Sequence, residues 1–150
     1  MRWITRERPK TDRIACPWLI RGFIDPDAEI VFLPADEVVP AAARDADARS
    51  FDAPGADFTH RGDACTFEVL IEDFDLASDP ALARLARIVH AADISGALES
   101  DPLGAGLLAI GEGGLDLEED DMRLLERGVF VYDALYAWCR RHTDIAPGED

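Results

Sequence analysis

Apolar positions in this chain recur at helical spacing in three stretches and form short, β-like runs in four others. Within 118–142, Met122, Leu125, Val129, Tyr132, Tyr136 and Cys139 follow alternating three- and four-residue steps, and Leu124, Val131, Leu135 and Trp138 widen the stripe. Acidic residues open this stretch and Arg140, Arg141 and His142 close it, matching the helix dipole at both ends, so a central, mostly buried helix is expected. Residues 78–93 predict a second helix, with Asp79 as N-cap, Pro80 in the first helical position and Leu82, Leu85 and Val89 on one stripe. The same start recurs at Asp101–Pro102. Over 65–74, Phe67, Leu70, Ile71 and Phe74 share the face of a shorter helix, which makes His60 and Cys65 flank one turn. Runs at 2–5 and 29–34 read as strands, and those at 49–52 and 57–62 as weaker ones joined by a turn over 52–57. The pattern predicts an α+β fold, mainly helical and a single domain over 1–142. Its small β-sheet, from residues near 2–5, 29–33 and 49–60, is expected to pack against the last two long helices, and 143–150 to be a disordered tail.

Composition narrows the class. With 150 residues, 48% of them hydrophobic and 31% charged, the chain suits one globular domain despite a formal charge of −16. Such acidity disfavours direct binding of nucleic acid, where Lys and Arg must neutralise phosphates, and of anionic membranes. The charge is uneven: residues 1–24 carry roughly +4, leaving about −20 for the rest. Three widely spaced cysteines, Cys16, Cys65 and Cys139, form neither a disulfide framework nor paired CxxC motifs and suit a reducing compartment. The N-terminus lacks the apolar stretch of a signal peptide, and no run reaches the ~18–20 apolar residues of a membrane span; a cytoplasmic location is expected. No P-loop, dinucleotide fingerprint or GxSxG elbow is present.

Inside the basic segment, Cys16 directly precedes Pro17. A residue before proline is pushed out of the helical region and proline suits the first helical position, so Cys16 is expected at an N-cap. There the positive helix end favours a thiolate, and Arg6, Lys10 and Arg13 are candidates to gather with it around a small anion. The alternative is that "IACPWLI" is core and Cys16 an inert small hydrophobe.

A second set, His60, Cys65, Glu68, His90 and Asp93, offers ligands for a transition metal. Glu68 follows Cys65 by one helical turn, and His90 and Asp93 lie three apart on one helix. This donor mix suits Zn, Fe or Cu more than Mg or Ca, although the spacing is no HExxH or CxxC signature. Asp93 continues the stripe of Leu82 and Val89, so its carboxylate needs an arginine, a helix terminus or a metal. Asp133, at the margin of the last helix's stripe, raises the same question. The alternative is that all of these are ordinary surface or hydrogen-bonded core residues.

Taken together, "WITRERPKTDRIACPWLIRGFIDPDAE", "FDAPGADFTHRGDACTFEVL" and "GVFVYDALYAWC" resemble the ChrB C-terminal domain family of chromate-resistance regulators, a domain found alone and in fusions with rhodanese-like modules. The resemblance runs from Arg2 to about Arg141 and thins over 93–118. It carries over Arg6, Lys10, Asp12, Arg13, Cys16, Pro17 and Trp18, then His60, Arg61, Gly62 and Cys65, then Tyr132, Asp133, Tyr136 and Trp138. It implies a role in chromate or related metal and oxyanion stress, with DNA binding assigned to a separate N-terminal domain.

Three functions compete. The first is a sensor-like binding domain in which Arg6, Lys10 and Arg13 attract an oxyanion such as chromate beside an oxidisable thiol at Cys16 or Cys65. The second is a metal-dependent enzyme using His60, Cys65 and one or more of Glu68, His90 and Asp93. The third is an acidic module that docks a separate DNA-binding or rhodanese-like protein. A small oxyanion or a metal ion is the expected ligand, and a homo-oligomer is compatible with each reading.

Overall fold

A parallel pairing brings the N-terminal strand to the middle of the sheet. The computed structural model describes residues 1–143, in which β1 (Arg2–Arg6) lies between β2 (Glu29–Leu33) and β3 (Ala48–Ser50), both parallel to it. Side chains alternate across this sheet: Trp3 and Ile30 enter the main core, while Ile4 and Ala48 enter a smaller one closed by Val38. Val38 belongs to a helix that the apolar pattern did not reveal, because it is the only buried residue of Ala35–Ala43.

The helices are α1 (Asp12–Leu19), α2 (Ala35–Ala43), α3 (Thr66–Asp73), α4 (Pro80–Asp93), α5 (Gly104–Leu117) and α6 (Asp121–Thr143). A π-helical turn, Ile20–Ile24, extends α1. Asp79 caps α4 as expected, its Oδ1 accepting the N–H groups of Ala81 and Leu82 at 2.9 and 3.1 Å. Asp101 takes the Leu103 N–H at 3.0 Å just ahead of α5.

Four expectations need correction. The segment 57–62 is no strand; it makes only the bridges Phe51–Phe58 and Arg61–Ala64, because Asp52 at φ 50° and Gly62 at φ 60° bend the chain away from the sheet. The sheet does not rest mainly on the last two long helices: α2 covers one face, and on the other Trp3 stacks near Phe58 and Phe74, with ring centroids 5.9 and 6.2 Å apart. Helix α6 is buried along one face only, at Leu124, Leu125, Tyr132 and Cys139, while Phe130 is exposed. Finally, Cys16 is not an N-cap. Helix α1 starts at Asp12, after Thr11 at φ 44°, and holds Pro17 in its interior. Burial of Ile14, Ala15, Cys16, Trp18, Leu19 and Ile20 in the main core offsets the roughly 3 kcal/mol an internal proline costs a helix. Of the expected tail, Thr143 ends α6 and 144–150 fall outside the described residues.

Candidate functional site

Helix α1 begins where α3 begins, and one carboxylate joins them. Asp12 is fully buried; its Oδ2 accepts the Thr66 N–H at 3.0 Å and its Oδ1 the Phe67 N–H at 3.1 Å, satisfying two free donors at the start of α3. The Cys16 thiol, one turn along α1, donates to Oδ1 at 3.3 Å. Burial pushes the Asp12 carboxyl well up, and the negative charges of Asp52 and Asp93 push it further.

Asp52 sits where the chain leaves β3 and is also buried. Thr66 Oγ1 donates to its Oδ1 at 2.8 Å, and Arg6 and Arg13 approach its Oδ2 at 3.4 and 3.5 Å. Burial raises its pKa, yet hydrogen bonding from His60 and Thr66 and the two guanidinium groups more than offset that, leaving it below the usual carboxylate range.

His60 is held between two acids. Its Nδ1 faces Asp52 Oδ1 at 3.4 Å and its Nε2 lies 3.0 Å from Asp93 Oδ2. Asp52 is the main cause of a pKa raised to about 9, against opposition from desolvation. Asp93, on the last turn of α4, is pushed up by burial and then by Asp52. Its partner is thus a histidine, whereas Asp133 accepts the Trp18 indole N–H at 2.8 Å. One ligand atom from each of Asp12, His60 and Asp93 lies within 4.8 Å of the others.

The remaining metal candidates form a second group. Cys65 is the N-cap of α3, and its N–H donates to Glu68 Oε1 at 3.0 Å. His90 Nδ1 lies 2.6 Å from the same oxygen. Ligand atoms of Cys65, Glu68 and His90 again fall within 4.8 Å of one another.

The five residues expected around one metal are therefore divided between two centres, and Asp12 joins the first. The expected anion set does not converge. Arg6 and Arg13 are engaged by Asp52, and Lys10 lies along a largely apolar cavity of about 380 Å³ between α5 and α6. Cys16 has no exposed surface, and burial followed by the Asp12 charge raises its thiol pKa well, the opposite of an activated thiolate. Sequence reasoning did not assign Asp12, Asp52 or Thr66 to a site. The signal available for Asp12 was its four-residue spacing from Cys16, which places both on one helical face once the helix starts early enough.

Comparison with known proteins gives two matches. A family model described as "ChrB, C-terminal domain" matches residues 3–139. A curated relative, Protein ChrB of Cupriavidus metallidurans, is 40% identical over 134 residues, which are 89% of this chain and 39% of the relative. The chain thus spans about two fifths of that relative's length. No solved structure matches it.

Proposed function

The chain belongs to the ChrB C-terminal domain family, and on that premise we propose that it is a metal-binding sensor domain of the chromate response, with its centre at Asp12, His60 and Asp93. The observation that carries this reading is the orientation of His60. Asp52 faces Nδ1, which fixes the tautomer whose Nε2 is free to ligate, and that Nε2 faces Asp93 beside Asp12. A carboxylate behind a ligating imidazole is the usual support of a metal-bound histidine. Two carboxylates and one imidazole suit Zn(II), Fe(II) or Mn(II), and part of the His60 ring reaches solvent, leaving room for an exogenous ligand.

The metal reading also changes how an oxyanion would be recognised. In the metal-free protein Arg6 and Arg13 are drawn to Asp52, and protonated His60 sits between Asp52 and Asp93, so chromate meets cations that already have carboxylate partners. Metal binding would replace the proton of His60 with a divalent ion. Chromate would then meet a cation with an open coordination position.

Metal analysis of protein purified without added metal is the test, followed by titration of the stripped protein with Zn(II), Fe(II) and Mn(II). Loss of one equivalent of bound ion in His60→Ala and Asp93→Asn is the expected result. Affinities equal to wild type in both variants overturn the assignment. Chromate and sulfate titrations of the loaded and stripped forms then test the oxyanion step, which requires binding by the loaded form alone.

A further inference from the structure

We propose that Cys65, Glu68 and His90 form a second metal site, separate from the Asp12–His60–Asp93 centre and suited to a softer divalent ion such as Zn(II). The proposal extends the metal-binding reading to other residues and does not require the first centre to be filled. Its basis is the convergence of a thiol, a carboxylate and an imidazole, the donor types of protein zinc sites, within 4.8 Å of one another.

The three donors come from two elements anchored in the core. Cys65 and Glu68 span the first turn of α3, whose Phe67 and Leu70 are fully buried, and His90 follows the equally buried Val89 of α4. Little rearrangement is needed: the 2.6 Å contact of His90 with Glu68 opens to about 3.3 Å when both take bonds of about 2.0–2.1 Å in a tetrahedral site. Glu68 has two oxygens, so it can keep its bond to the Cys65 N–H while ligating. Cys65 is buried, but the side chains of Glu68 and His90 are 31% and 25% exposed, which opens one side for entry and for a water as fourth ligand.

Cys65 packs in the main core, and its sulfur also lies beside the Glu68 carboxylate and the His90 imidazole. Serine, threonine or aspartate would cap α3 at least as well as cysteine does. Burial and the nearby Asp12 charge raise the Cys65 pKa, so a bare thiolate is disfavoured there. Metal binding replaces the thiol proton, which leaves to solvent as the sulfur–metal bond forms, with no change of oxidation state.

Cobalt(II) separates the two centres, because only a cysteine ligand gives an intense thiolate-to-cobalt charge-transfer band in the near ultraviolet. The reduced chain is titrated with Co(II) under anaerobic conditions, beside Cys65→Ser, His90→Ala and Asp93→Asn. The expected result is one band-forming equivalent in wild type and Asp93→Asn, no band in Cys65→Ser, and at least a tenfold weaker site in His90→Ala. Serine preserves the cap of α3, and circular dichroism confirms the fold of each variant. Absence of the band in folded wild type at millimolar Co(II), or its persistence in Cys65→Ser, overturns the second site. Loss of the band in Asp93→Asn as well shows one merged centre and overturns the separation. Failure of the first centre alone leaves the band intact and removes only the cobalt not bound to sulfur.

Discussion

Asp52 ligates nothing in this scheme and yet sets the state of what does. It draws in Arg6, Arg13 and Thr66 and turns the His60 ring, so Asp52→Asn should leave all three proposed ligands present but misdirected. Metal affinity is expected to fall 10–100-fold, with less loss of stability than a full deletion of the side chain; unchanged affinity by calorimetry contradicts the positioning role. His60 gives a second prediction. Its pKa in the metal-free fold is about 9, against an ordinary value of 6.5. Because the folded value is the higher, the charged ring's contacts contribute fully below about pH 6.5 and are lost as pH rises through 9. Urea midpoints of wild type and His60→Gln should therefore converge between those limits, and a constant gap rules the interaction out. At this scale the sequence was half legible. His60, Asp93 and the Cys65–Glu68 pair are scarce residue types at telling spacings, whereas Asp52 is one of 31 acidic residues that nothing local marks, and Asp12 shows only its four-residue spacing from Cys16 and its place in the family resemblance. Their importance comes from burial and from contacts reaching 55 residues along the chain, as between Asp12 and Phe67.

Elements with their own punctuation were readable, and those fixed by distant contacts were not. Asp79–Pro80 announces α4 because cap and first-turn proline act within one turn. Cys16–Pro17 carries the same local cue and misleads, since burial of α1 in the main core overrides it. Helix α2 has one buried side chain and leaves no periodic trace, whereas β3, three residues long, shows only as a weak strand signal over 49–52. The caps are where element stability can be measured. Asp79 holds the start of α4 through Oδ1, and its Oδ2 accepts the Tyr136 hydroxyl of α6 at 2.6 Å. Asp79→Ala should cost about 1–2 kcal/mol, the upper part of the range for an N-cap, because a tertiary hydrogen bond goes with it. Tyr136→Phe should cost less, since α4 keeps its cap; equal losses in urea unfolding would place the whole effect in the tyrosine contact.

For the molecule as a whole, the basic N-terminal segment proves to be an internal fastening more than a surface for anions. Arg6 and Arg13 are drawn to Asp52, and Arg8 bonds the carbonyls of Leu115, Glu118 and Glu119 and pairs with Asp121, tying β1 to the link between α5 and α6. No described helix is long and apolar enough to cross a membrane, and a formal charge of −16 is left to repel itself over the chain. The divalent ion proposed above would counter that repulsion where α1, α3 and α4 meet, at Asp12, His60 and Asp93. Ion binding to the fold alone stabilises it by about 2.7 kcal/mol at one hundred times Kd. For a chain of 150 residues that is a rise in Tm of about 5–10 °C. Scanning calorimetry of stripped protein, with and without Zn(II) or Mn(II), should show that rise and its loss on adding chelator. His60→Ala should remove most of the Mn(II) effect and Cys65→Ser part of the Zn(II) effect. Equal shifts in wild type and in a variant lacking both residues would mean that the ions act by screening surface charge, and Mg(II) at the same concentration would then raise Tm as much.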